Sequence, residues 1–298
     1  MIVNDTAVIT CFFNFHNYSV PKRNLRRWQR HMVSLGIPVF GVELLLYGQT
    51  GVSEGWEGWR QIRVLEGLHM MWQKEPALNV CVKHLPPQYT KVVVCDSDIW
   101  FANPEWLAQT SAVLNVVNAC SPYHTAHWTN HEGGIDLSRS SIGADPEGLI
   151  PLWRSHPGFA IALTRDFWDE EGPNGIYPFY VVGNGDTALG TALCNLDPTK
   201  ICVKMFRVGN IMESYMLWHA RVRKWNTGFT YVAGDLYHEY HGKLADRKYY
   251  ERLQWIQSLD PAVHLKFNDD GLLEWTEDAP KTMVEQVAAY FSVRKEDD

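Results

Sequence analysis

The sequence predicts one mixed α/β domain: a central, mostly parallel sheet with helices on both sides. Three observations carry this. Residues 7–13, 37–44 and 91–95 are near-continuous apolar runs, as strands are when both faces are covered. One amphipathic helix separates the first two, the spacing of a right-handed βαβ unit. No internal repeat, low-complexity tract or linker interrupts the 298 residues, a length that one large domain can hold around its own core.

The elements follow in order. Ala-Val-Ile-Thr-Cys-Phe-Phe at 7–13 is the first strand. Residues 21–35 read as a helix opened by Pro21, with Leu25, Trp28, Met32 and Leu35 on its apolar face and Lys22, Arg23, Arg26, Arg27 and Arg30 on the outer one. Residues 37–44 form the second strand and carry Glu43 near its end, and a Gly-rich loop fills 48–58. A helix is predicted from about Ile62 to Leu85, broken near Pro76. Residues 91–101 form a buried strand running into Asp96 and Asp98. Beyond it the pattern loosens. Residues 120–150 read as polar, Gly-rich loops and 156–164 as a strand; Gly183-Asn184-Gly185-Asp186 opens a helix. A strand over 229–236 and a helix over 246–260 precede an acidic, peripheral tail at 270–298.

Composition excludes some roles. With 46% hydrophobic and 20% charged residues the chain is globular, not disordered, and a net charge of −7, with no strongly basic footprint, counts against tight binding of duplex DNA. The 13 Trp and 13 Tyr are core formers whose polar tips need partners, which sugar clefts also supply. No two of Cys11, Cys81, Cys95, Cys120, Cys194 and Cys202 are spaced C-x-x-C, so buried free thiols in a reducing compartment are expected. The start lacks a basic, then apolar leader and no apolar run approaches the roughly 20 residues that span a bilayer, so a soluble, cytoplasmic protein is expected.

Asp96-Ser97-Asp98 at a strand end is the strongest chemical signal. Two carboxylates on such a turn can share a hard divalent cation that keeps positions open for phosphate. The pattern alone also fits a turn cap, or a phosphatase using Asp96 as nucleophile. A third reading is a non-catalytic carbohydrate-binding protein that uses its aromatics.

The surrounding residues narrow the choice. Trp72-Gln-Lys74-Glu75, Asn79, the strand ending Asp96-Ser-Asp-Ile-Trp-Phe101, and Asn103-Pro-Glu-Trp106 resemble the GT-A family of nucleotide-sugar glycosyltransferases. His156-Pro-Gly158-Phe-Ala, Gly183-Asn-Gly-Asp186 and His238-Glu-Tyr-His241-Gly242 extend the resemblance over roughly residues 7–252. It implies a GT-A domain over 1–265, with a donor half to about residue 106 and an acceptor half from 107, followed by a peripheral tail at 266–298. It implies Mn²⁺ (or Mg²⁺) held by Asp96, Asp98 and His241, and a UDP-sugar as donor. Around that donor it places Glu43, Arg60, Lys74, Asn79, Asp96 and Ser97, with Trp153, Gly158 and His238 on the acceptor side. Lys74 and Arg60 suit neutralising the diphosphate, and Trp153 and Trp128 suit stacking on sugars; solvated helix charges and core packing are the respective alternatives.

Asp186 is the candidate general base, able to take the proton of an acceptor hydroxyl; an N-cap for a helix starting at Thr187 is the competing reading. Relatives often carry a Glu-Asp pair where this chain has one acid, which favours an inverting displacement. Asp136 and Glu132 are the next carboxylates in line. The acceptor is open between a glycan, a protein and a hydroxymethylated base in DNA. For the last, the basic residues of the first helix and Arg221, Arg223 and Lys224 are candidate contacts.

Overall fold

A computed structural model describes residues 3–145, 155–198, 210–249 and 251–298. Its main sheet has seven strands in the order β11-β6-β10-β4-β1-β2-β3. These are β1 (Thr6–Phe13), β2 (Val39–Leu46), β3 (Trp59–Val64), β4 (Lys91–Cys95), β6 (Ala119–Ser121), β10 (Ala160–Thr164) and β11 (Phe229–Tyr231). Every neighbouring pair is parallel except the two that involve β10, so β10 runs against the other six. The mixed α/β, mostly parallel sheet flanked by helices is therefore as the sequence predicts.

A second sheet, β5-β12-β7-β8-β9, joins β5 (Ile99–Phe101), β12 (Asp235–His238), β7 (Thr125–Thr129), β8 (Ile135–Ser141) and β9 (Ser155–His156). The strand-forming residues explain the core. On β4, Val92 and Val94 face one apolar cluster with Ala7 and Ile9 of β1. Val93 and Cys95 face the other, with Leu25, Trp28 and Met32 of helix α1 (Ser19–Ser34). A strand covered on both faces alternates side without alternating polarity, and this is why these runs are continuously apolar.

Several expectations change. Residues 59–64 are a strand, not the start of a helix: Ile62 and Val64 are buried while their neighbours point outward, a period of two at the sheet edge. Helix α2 (Lys74–Lys83) begins at Lys74, and Pro76 sits in its first turn, where the missing N–H has no intrahelical partner to lose. Residues 125–141 form a hairpin, closed by Asn130, whose Oδ1 accepts from the backbone N–H of Glu132 (3.1 Å) and Gly134 (2.8 Å). The strand expected at 229–236 is two strands, β11 and β12, in different sheets, with Gly234 at φ 134° between them.

The carboxy-terminal segment is not peripheral. Strands β13 (Leu265–Phe267) and β14 (Leu273–Trp275) pair with each other, and helix α8 (Lys281–Val293) buries Met283, Val287, Tyr290 and Phe291 against the core. The expected 246–260 helix is reduced to α6 (Glu251–Trp255), preceded by a 3₁₀ turn at Leu244–Arg247 and followed by α7 (Pro261–His264). Between these lie α3 (Trp106–Val113), α4 (Gly185–Leu193) and α5 (Ile211–Trp225). No helix among the described residues is long and apolar enough to cross a membrane.

Candidate active site and metal centre

β1 pairs with β2 on one side and with β4 on the other, so the chain order reverses between β1 and β4. Such a switch point opens a crevice at the carboxyl ends of the strands. Asp96, Ser97 and Asp98 form the tight turn that leaves β4 there and crosses into β5 of the second sheet. The turn is fixed by the opposing strand. Asp96 N donates to the carbonyl of Phe159 (2.8 Å), and Phe159 holds a left-handed φ of 69°. A non-glycine residue there is strained, and such strain persists only where the surroundings over-determine it.

Asp98 points toward the end of β12. Its Oδ2 is 3.0 Å from Nε2 of His241 and 3.7 Å from Nε2 of His238, and the two Nε2 atoms are 3.1 Å apart. Ligands at about 2.1 Å from a cation and at right angles to each other stand about 3 Å apart, which the His241 Nε2 separations from Asp98 Oδ2 and His238 Nε2 match, while Asp98 and His238 stand wider. Asp98 Oδ1 is buried and has no hydrogen-bond partner, leaving lone pairs for a cation. Burial holds His238 down to about 3 against the pull of Asp98, so it stays the neutral imidazole that a metal needs. Burial pushes Asp98 the other way, yet His238, His241 and Arg247 outweigh it and hold this carboxyl below the usual range. Among the described residues, Asp98, His238 and His241 are the group that could hold an ion.

The expected set was Asp96, Asp98 and His241, with His238 on the acceptor side. The side chains group otherwise: His238 stands beside Asp98 and His241, while Asp96 turns to Lys74, whose Nζ it accepts a hydrogen bond from. Burial and the adjacent Asp98 raise Asp96, although Lys74 opposes them. Lys74 is raised above the usual amine range: burial would lower it, but the Asp96, Asp186 and Glu75 carboxylates outweigh burial. Lys74 lies at the start of α2 and Asp186 in the first turn of α4, so two helix amino termini converge on the crevice and favour anions there.

Asp186 is not the N-cap of α4. The helix starts at Gly185 behind Asn184, which has φ 99°, and no side chain caps it. Asp186 Oδ1 accepts from Thr187 N at 2.7 Å, and a Cβ added to Gly158 would lie 2.6 Å from its Oδ2. Gly158 thus makes room for the Asp186 carboxylate.

Other expected residues are elsewhere. Glu43 is 1% exposed and accepts from Val52 N (2.8 Å), Ser53 N (2.9 Å), Ser53 Oγ (2.6 Å) and Gln61 Nε2 (3.1 Å), so it pins the 48–58 loop, and it also lines a small concavity with Asn14, Lys22 and Thr50. Arg60 pairs with Asp270 (2.6 Å) and lies beside His84 at the exposed edge of β3. Asn79 spends its amide on Ile176 (2.8 Å to both N and O) and Trp168 Nε1 (2.9 Å). Ser97 is a half-buried turn residue, and Trp153 lies outside the described residues, as does Cys202. Asp136 accepts from Asn130 (3.0 Å) within the hairpin turn, and Glu132 is exposed there. Trp128 is buried, edge-on to His156 at 4.7 Å. Cys11, Cys81, Cys95, Cys120 and Cys194 are free thiols, and burial pushes those of Cys81, Cys120 and Cys194 up to about 12.

Two site residues escaped the sequence reading. Glu75 follows Lys74 and fills the space that Gly185 leaves, where a Cβ would stand 2.0 Å from its Oε1; burial pushes it to about 8. His156, two residues before Gly158, is pushed by burial to about 4. Each stands inside a motif already noted, and only the fold shows that its side chain turns inward.

No protein-family model matches the chain, and no curated protein matches it. Solved structures resemble it distantly. A Drosophila β1,4-galactosyltransferase 7 catalytic domain in complex with xylobiose is 13% identical at a TM-score of 0.37, over 65% of this chain and 63% of that one, so the chain spans less than two thirds of its length. A 4-diphosphocytidyl-2C-methyl-D-erythritol synthase from Anaerococcus prevotii is 11% identical at 0.35, over 77% and 88%. A mycobacterial protein is 12% identical at 0.45, over 93% and 85%. At such TM-scores these likenesses carry no conclusion about family or activity.

Proposed function

We propose that the chain is a metal-dependent glycosyltransferase of the GT-A type that moves a sugar from a nucleoside-diphosphate sugar, a UDP-sugar first, to an acceptor hydroxyl. The observation that supports this best is the convergence of Asp98, His238 and His241 beside the Lys74–Asp96 pair, at the switch point of a mostly parallel sheet. Two imidazoles and one carboxylate suit Mn²⁺ better than Mg²⁺, and would also accept Fe²⁺ or Zn²⁺. The adjacent lysine and the two helix amino termini are what favour a diphosphate in the crevice.

Asp98, His238 and His241 would hold the cation, which when bound supplies Lewis-acid stabilisation of the diphosphate leaving group. Lys74 would share its charge between Asp96 and the phosphates. Asp186, beside the glycine at 158, would take the acceptor proton as the new glycosidic bond forms, and a single carboxylate base suits inversion.

An anionic acceptor, DNA carrying a hydroxymethylated base, is supported by where α1 lies. Its Arg23, Arg26 and Arg30 are exposed. Arg27 pairs with Glu239 (3.1 Å), and Asn24 Nδ2 donates to the Tyr240 carbonyl (3.1 Å), so this basic face adjoins the His238–His241 loop. Arg221, by contrast, is spent on the carbonyls of Glu170 and Gly172.

The test is donor turnover. UDP-sugar hydrolysis or transfer in Mn²⁺ should fall at least about 10²-fold in EDTA and in Asp98→Asn; undiminished turnover in EDTA would overturn the reading. If DNA is the acceptor, transfer to a hydroxymethylated oligonucleotide should weaken steeply from about 50 to 200 mM salt, and Arg26→Glu with Arg30→Glu should raise its KM. An enzyme that hydrolyses its donor but never glycosylates such DNA excludes that acceptor.

A further inference from the structure

We propose that Glu296 is a positioning residue for the metal centre, selecting the tautomer of His241 whose Nε2 is free of a proton. This rests on the metal-site reading above, and assigns to the carboxy-terminal segment a part in building that site.

A neutral imidazole carries one proton. For Nε2 of His241 to offer a lone pair beside Asp98 and His238, that proton must sit on Nδ1 and needs an acceptor. Two groups compete for Nδ1. The Glu296 carboxylate can only accept, and its Oε1 is 3.2 Å away. Arg247 can only donate, and its Nη2 is 2.8 Å from Nδ1 and 3.1 Å from Nε2. If Arg247 were the partner, the proton would move to Nε2 and be donated to Asp98 Oδ2 at 3.0 Å, a closed pair that turns the cation away. Arg247 has another acceptor in the His241 carbonyl (2.9 Å), so it need not take Nδ1, whereas Glu296 gives the Nδ1 proton its place.

Glu296 is built into position. It is 8% exposed and accepts from Arg294 Nε at 3.0 Å. The turn after His241 has Gly242 at φ 90°, where a Cβ would lie 2.9 Å from the Lys295 carbonyl and 3.2 Å from the Glu296 Cα. The backbone carrying Glu296 therefore packs directly on the loop carrying His241. Tyr240 Oη donates to the Asp298 carbonyl (2.7 Å), and Asp297 accepts from Ser19 N (2.9 Å) and Val20 N (2.8 Å) at the start of α1. These contacts clasp the last residues across the loop.

The experiment has two arms on the full chain. In the metal-free wild-type protein labelled with ¹⁵N-histidine, NMR at neutral pH should show His241 protonated at Nδ1 and bare at Nε2. Mn²⁺ titration followed by electron paramagnetic resonance should show Glu296→Ala binding about 10- to 100-fold more weakly, and Glu296→Gln, whose amide oxygen still accepts, recovering much of the loss. A wild-type His241 protonated at Nε2 overturns the proposal without any variant having to fold. So does a folded Glu296→Ala protein within about twofold of wild-type affinity. Asp98→Ala and His241→Ala separate the two failures: if they also keep the affinity, the metal-site reading itself is wrong, and if they lose it, only the role of Glu296 is.

Discussion

Glu75 lies 3% exposed under the first turn of α4, next to Lys74 and within the field of Asp186 and Asp96. Burial favours its neutral form and pushes it from 4.5 to about 8. Its contribution to stability is therefore full below about pH 4.5 and is lost as pH rises through about 8. Gln mimics the protonated acid and does not titrate. Glu75→Gln should consequently gain in melting temperature on wild type between pH 5 and pH 9, by several degrees; a pH-independent difference would show that Glu75 is ionised in the fold. Asp186 is tested by kinetics instead. Asp186→Asn keeps shape and the bond to Thr187 N, so it should leave Mn²⁺ affinity unchanged while slowing transfer about 10²-fold or more in single-turnover assays. Normal turnover would move the base elsewhere.

At the scale of elements, the crevice depends on glycines that let chains approach. A Cβ at Gly185 would stand 2.0 Å from Glu75 Oε1, so Gly185→Ala forces α4 and α2 apart and should cost about 1–3 kcal/mol, read as a lower melting temperature or denaturant midpoint. Gly158→Ala, aimed at the Asp186 carboxylate, should instead lower kcat more than it lowers stability. Elements with local cause were legible: β1, α1, β2 and β4 from apolar runs and helical spacing, and the Asp-Ser-Asp turn from its place after β4. What misled was context. Trp59–Val64 is short and interrupted by charge, and only its pairing with β2 makes it a strand. The β7–β8 hairpin is polar because one of its faces meets solvent, so it reads as loop. His238 was legible as half of a His pair, but its partnership with Asp98 depends on β12 pairing with β5, a contact 139 positions apart for Trp100 and Glu239.

At the scale of the whole molecule the proposed site draws on most of the length: Lys74 from α2, Asp98 from the β4–β5 turn, Asp186 from α4, His238 and His241 from the end of β12, and Glu296 from beyond α8. Met283, Val287, Tyr290 and Phe291 stand at helical spacing and were a legible apolar face, but that the charged Arg294 and Glu296 are buried is decided by the surface they meet. The central claim is that these pieces assemble a cation-bridged diphosphate site. The nucleoside diphosphate and the Asp96 and Asp98 carboxylates repel one another unless a cation lies between them. The most direct measurement is the melting temperature with and without UDP, in Mn²⁺ and in EDTA. UDP should raise it in Mn²⁺ and not in EDTA, and Asp98→Ala and His241→Ala should each abolish most of the rise. An equal rise in EDTA, or one untouched by both substitutions, would contradict the account.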